Sequence, residues 1–293
     1  MDRRHRLRHH MYADDTQLYV ETVVTNTQSA LHQLQNCLSD VKSWCSSRRL
    51  QLNDGKTDLA WFGSHANLAK LANVDCSLTV GDVTVQPSKV VRNLGVLLDS
   101  ELTLKQHLSK VASCCYYHIR RLRQVSRFVS REILMQLISA FVLSRLDYCN
   151  SALAGLPKSS IATLQRVQNA AARLVLGLRP RDHISGGLRQ LHWLPVESRI
   201  RFKVCLLMHL AHTGRCPSYI SDILHPVSTS SSRPGLRSAS TAQYLKPKLR
   251  TVFGERAFSF AGPKAWNDLP SHLHSIQSSE TFKRHLKTFL FDS

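Results

Sequence analysis

No apolar run in this sequence is long enough to cross a bilayer. The longest, Ile133 to Leu143, is interrupted by Gln136 and Ser139, so no membrane association is expected. The basic opening, MDRRHRLRHH, is followed by no apolar core of the kind a secretory leader needs. Cysteine pairs at C-x-x-C spacing are missing too. Cys37, Cys45, Cys76, Cys114, Cys115, Cys149, Cys205 and Cys216 are scattered, several of them inside apolar helical patterns. That distribution argues against a disulfide scaffold and fits reduced, buried thiols in an intracellular protein of the nucleus or cytoplasm. No internal repeat is present.

Acidic residues are scarce in one part only. Residues 1–104 carry 11 Lys/Arg and 11 Asp/Glu, whereas residues 105–293 carry 28 against 9 and so hold the whole net charge of +19. A neutral part bearing acids beside a strongly basic part points to chemistry in the first and polyanion binding in the second. The alternative, a supercharged surface with no ligand, is disfavoured because such an excess repels itself. At 293 residues and 43% hydrophobic content the chain is long and apolar enough for a globular protein of two domains.

What is present is organised around Met11-Tyr12-Ala13-Asp14-Asp15-Thr16-Gln17-Leu18-Tyr19-Val20. Its second half alternates like a half-buried strand, with Leu18 and Val20 on one face and Gln17 and Tyr19 on the other. Adjacent strand residues point to opposite faces, so Asp14 and Asp15 converge only if the chain turns there. A hairpin with two carboxylates at its tip supplies hard oxygen ligands of the kind that hold Mg²⁺ against phosphates. Asp is also an ordinary turn residue, and this stretch alone does not separate the two readings.

The remaining chain is read in order. Residues 1–10, with only Leu7 apolar after Met1, make a poor first strand and are expected to be poorly ordered. A helix is predicted over Thr27–Ser46 from Leu31, Leu34, Leu38, Val41 and Cys45. A short strand pair is predicted around the Asp54-Gly55 turn, with Lys56 just after it. Hairpin strands at 78–80 and 83–85, with Val90-Val91 and Leu94 to Leu98, complete a small antiparallel sheet. From Leu104 the period becomes helical: Leu104, Leu108, Val111, Cys115, Ile119 and Leu122 define one helix. Others follow over Ser130–Tyr148, Ser159–Leu176 (ended by Gly177), Ile200–His212 and Glu280–Phe291, while Phe253–Pro270 reads as irregular.

In this order the motifs resemble the carboxyl-terminal half of a reverse transcriptase from a non-LTR (LINE-type) retrotransposon. Tyr12-Ala13-Asp14-Asp15 resembles the x-A-D-D box of the catalytic palm hairpin. Leu52-Asn53-Asp54-Gly55-Lys56-Thr57 is similar to the next motif. Asn93-Leu94-Gly95-Val96-Leu97-Leu98-Asp99 is similar to the primer grip. Arg145 to Asn150, Leu191 to Pro195 and Ala261 to Pro270 are similar to segments downstream of the polymerase in vertebrate LINE reading frames.

The resemblance implies an α+β fold with a partial palm over 1–103 and a helical thumb over 104–178. A helical connector over 179–227, a Ser-rich linker over 228–241 and a helical or irregular C-terminal region over 242–293 follow. It implies Mg²⁺ held by Asp14 and Asp15 in the complete parent enzyme, and an RNA template with a DNA primer as partners. Lys56 would protonate departing pyrophosphate, unless it is a solvated turn lysine. Tyr12 would pack below the site or serve as an ordinary strand aromatic. Asn93, Leu94 and Gly95 would hold the primer backbone, and Lys105, Lys110, Arg120, Arg121, Arg123 and Arg127 would line the thumb.

In the family, fingers and an earlier palm strand bearing another metal-binding aspartate precede the x-A-D-D box, and here eleven residues precede Tyr12. Two readings follow: an inert fragment of an RNA-directed DNA polymerase, or a catalytically dead basic remnant that binds nucleic acid. Few aromatics interleave the basic stretch, so charge should outweigh base stacking in that binding. A second constellation, Cys205, His209, His212 and Cys216, has ligand types that suit zinc. Its spacing matches no zinc motif, and a core cysteine beside surface histidines is the preferred reading.

Overall fold

The first strand forms despite its composition. In the computed structural model, which describes residues 5, 7–80, 83–179, 181–227, 242–249 and 251–292, β1 (Arg8–Tyr12) pairs antiparallel with β2 (Asp15–Tyr19). Its polar side chains stay outside while Leu7 is buried beside the hairpin, so residues 8–10 belong to a strand where poor order was expected. The chain as a whole is α+β and divides into two units, Met1–Thr103 and Leu104–Ser293. The Ser-rich stretch 228–241 lies outside the described residues.

In the first unit, α1 (Thr27–Ser47) buries Ala30, Leu31, Leu34 and Cys37 along one stripe. The stripe meets Leu7, Leu59 and the inward pair Leu78 and Val80 of β3 (Leu78–Val80). β3 pairs with β4 (Val83–Val85), and β5 (Val90–Asn93) pairs with β6 (Val96–Asp99). Three separate two-stranded sheets stand where one small sheet was expected. Proline accounts for one break: Leu59 meets Pro87 only in an isolated bridge, and a proline has no N–H with which to continue a ladder. The strand pair expected at 50–62 is likewise absent among the described residues. Asp54–Lys56 is a 3₁₀ turn, followed by a short α2 (His65–Lys70).

The second unit is built of helices, and its described residues add only an isolated bridge between Pro226 and Tyr244. α3 (Lys105–Val125) buries Leu108, Ala112, Cys115, Ile119 and Leu122 at three- and four-residue spacing. α4 (Arg131–Ile138), capped by the Ser130 hydroxyl, passes through a π turn at Ser139–Leu143 into α5 (Ser144–Asp147). α6 (Lys158–Leu176) ends where Gly177 turns left-handed, and the Leu178 N–H closes on the Arg173 carbonyl at 3.0 Å. Then come α7 (Ser185–Gln190), α8 (Val196–His212) and α9 (Ser218–Ser221). The last three are α10 (Phe258–Asn267), α11 (Ser271–His274) and α12 (Ser279–Asp292).

α10 corrects the irregular reading of 253–270. It holds Pro263, which costs a helix interior about 3 kcal/mol, yet it forms because it packs tightly on α8. A Cβ on its Gly262 would stand 2.7 Å from the Met208 sulfur, so the glycine lets the two helices pack this closely with Met208 where it is.

Candidate active-site hairpin and nucleic-acid interface

Ala13 and Asp14 form the two-residue turn between β1 and β2, and Ala13 takes a positive φ of 53° to close it. Asp14 stands at the tip and Asp15 starts the returning strand opposite Tyr12, all three exposed. Tyr12 is 64% exposed. Two residues along β2, on the face Asp15 shares, the Gln17 amide donates to the Asn93 side-chain oxygen at 2.7 Å. That bond ties the acidic hairpin to the β5–β6 hairpin. The turn of the latter is Leu94-Gly95, both at positive φ (44° and 84°). The sequence reading passed over Gln17. Its signal was the alternation that sets it on the same face as Asp15.

Lys56 sits exposed at the end of its 3₁₀ turn, and among the described residues no ion pair joins it to Asp14 or Asp15. Among the described residues no group of three or more His, Cys, Asp or Glu is placed to hold a metal ion. Two exposed carboxylates fall short of the ligand set a two-metal centre requires, so the residues present do not fit one.

The basic residues are better placed. Lys105, Lys110, Arg120, Arg121 and Arg123 are all exposed on α3, Lys110 and Arg121 opposite its buried stripe and Lys105 and Arg123 along its flank, and Arg127 is exposed in the turn beyond. Lys110 and the four arginines make no side-chain ion pair among the described residues. Lys110, Tyr117 and Arg121 fall on one strip of the helix. The His118 ring beside them meets Tyr117 edge-on at 5.4 Å and stacks on Phe141 at 5.3 Å. Burial, then Arg145, pushes the His118 pKa down.

Each of the three downstream motifs places some of its residues in the core, Leu146 and Asn150, Trp193 and Leu194, and Trp266 among them. Arg199 of α8 bridges two of them, pairing with the Asp147 carboxylate and donating from Nε to the Leu194 carbonyl at 3.0 Å. The same carbonyl accepts from fully buried Gln168 at 2.8 Å, and Gln165 accepts from the Val196 N–H at 2.8 Å. In the third motif Trp266 is wholly buried among His212, His274, Tyr244 and Phe282. The Asn267 amide exchanges two hydrogen bonds with the Tyr244 backbone, at 3.0 and 2.8 Å. These segments brace the helical unit.

The second constellation belongs to the same core. The Cys205 thiol donates to the Ala265 carbonyl at 3.7 Å, and burial pushes its pKa up to about 12. His209 is no surface histidine: it is fully buried and stacked on Phe282 at 4.1 Å. Burial first, then Arg215 and His212, lower its pKa to about 4. Arg215 can only donate, so His209 Nε2, 3.3 Å away, accepts and the ring is neutral.

All eight cysteines are free thiols, and no described helix is long and apolar enough to cross a membrane. No family profile matches the chain. No solved structure matches it. A stretch of 112 residues, 38% of the chain, is 30% identical to the "Probable RNA-directed DNA polymerase from transposon BS" of Drosophila melanogaster, covering 12% of that protein. The chain is thus similar, over part of its length, to a transposon reverse transcriptase, and spans only a small part of it.

Proposed function

We propose that this chain is a palm-and-thumb segment of an RNA-directed DNA polymerase of a non-LTR, LINE-type retrotransposon. In isolation it binds nucleic acid inside the cell and does not polymerise. The observation that carries this reading is the 112-residue similarity to a transposon polymerase. It is supported by the order of the x-A-D-D, Lys56 and Asn93-Leu94-Gly95 motifs and by the Gln17–Asn93 bond between the hairpins that carry the first and the last. In this reading residues 1–103 are palm and 104–178 thumb. Mg²⁺ belongs to the complete parent enzyme, with Asp14 and Asp15 among its ligands, and the partners are the RNA template and DNA primer. Two exposed carboxylates are too few for that chemistry alone, so the isolated chain is inert.

Binding rests on cations that neutralise phosphates and release counterions. If about five phosphates are engaged, the logarithmic salt slope is roughly −4, and substituting Arg120, Arg121 and Arg123 by Gln lowers its magnitude by about 3. Primer extension with Mg²⁺ or Mn²⁺ and a salt titration of binding test the two halves of the proposal. No extension and a steep slope are expected. Extension abolished by Asp14→Ala overturns the first half, and salt-insensitive affinity the second.

A further inference from the structure

The basic face of α3 is not purely electrostatic. Tyr117 is 52% and Phe141 41% exposed, and His118 lies between their rings, so three aromatic rings make one continuous ledge. Phe141 reaches His118 from the π turn, whose wider winding re-aims the side chains that follow it. Cations frame the ledge. Lys110 lies seven residues before Tyr117 and Arg121 four after it, about 10 Å and 6 Å along the helix at 1.5 Å per residue. Exposed Arg145 stands close enough to His118 to influence it.

We propose that this ledge stacks the bases of single-stranded nucleic acid while Lys110, Arg121 and Arg145 hold the adjacent phosphates. The inference rests on the nucleic-acid reading above and adds to it a preference for unpaired strands. Bases inside a duplex are already stacked and present no face to a protein ring. An unpaired base offers a π-face whatever its identity, so the ledge selects strandedness and not sequence. Arginine-framed aromatic rings are the chemistry that single-strand grooves use.

The test uses the full chain, a labelled oligothymidylate and a duplex of the same length, followed by fluorescence anisotropy. Tyr117→Ala and Phe141→Ala are each expected to lower the ratio of single-strand to duplex affinity about tenfold, and Tyr117→Phe to restore it. Photocrosslinking of the unaltered chain to an oligonucleotide carrying 5-iodouracil, mapped by mass spectrometry, requires no substitution. Adducts at Tyr117 or Phe141 are expected. Adducts confined to other residues, or an unchanged ratio in folded variants that still bind both ligands, overturn the ledge and leave the charge-based reading standing. If the unaltered chain binds neither ligand, the nucleic-acid reading itself fails.

Discussion

The two units differ in what they bury and in what they carry. The first has equal numbers of acids and bases, and its core consists of Leu7, Leu31, Leu34, Cys37, Leu59, Leu78 and Val80, no aromatic ring among them. The second carries the entire charge excess, and every one of the largest fully buried side chains among the described residues belongs to it, Trp266 and Phe282 first. The difference has a physical reason. A surface with 28 cations against 9 acids repels itself, and a deep aromatic core offsets that repulsion. The thinner unit instead sets Asp14, Asp15, Leu94 and Gly95 on short hairpins tied by the Gln17–Asn93 bond.

The largest expected effect sharpens this contrast. Trp266→Ala removes a ring packed on His274 at 4.8 Å, together with its indole bond to the Ala242 carbonyl, and should cost about 4 kcal/mol. Leu34→Ala, at the rim of the smaller core, should cost about 2 kcal/mol. Amide exchange read separately in each unit measures both. Equal losses would break the contrast.

Acidification comes next. Folded His209 takes up its proton only near pH 4, whereas an unfolded histidine takes it up near 6.5. Below pH 6.5 the unfolded chain therefore binds a proton the folded one does not. Stability is full above 6.5 and declines as the pH falls toward 4, by about 3 kcal/mol from this group. The groups around it, Arg215, His212 and beyond it His274, all disfavour a further positive charge when protonated. Urea midpoints of the second unit at pH 7 and pH 4.5 measure the decline, and His209→Leu should flatten it. A midpoint that rises on acidification would show that His209 is paired in the folded state.

Much of the helical unit was legible because its apolar residues recur at three- and four-residue intervals, as along α3, α6 and α8. The α10 helix was not legible. Gly262 and Pro263 are local signals for irregular chain, and only the fit of α10 against Met208 overrides them. β1 was illegible for the converse reason: its Arg and His side chains carry no strand pattern, and the pairing is made by the backbone. In the candidate site, the tip position of Asp14 follows from turn chemistry, whereas Leu94 and Gly95, expected in a strand running to Leu98, form the turn before it, and no turn preference announces the leucine. The Gln17–Asn93 bond spans 76 positions, and no local pattern announces it. The aromatic ledge was hidden similarly, since Phe141 meets His118 only through the packing of α3 on the π turn.

The smallest expected effect concerns the strain in the first unit. Leu94 and Gly95 both take positive φ in a two-residue turn, a geometry for which Asn-Gly is preferred and a leucine in first place costs about 1 kcal/mol. The turn therefore holds a residue that stability alone would not choose, at the position matching the primer-grip motif. Strained residues of this kind collect where function needs them. Leu94→Asn should accordingly raise the protection of β5 and β6 by about 1 kcal/mol. If the leucine earns its place through primer contact, the same change weakens binding of a primer–template duplex. Amide exchange and a binding titration on one variant separate the two effects. Greater stability with unchanged affinity would mean that the strain serves nothing on this unit, and unchanged stability would mean that the turn is not strained.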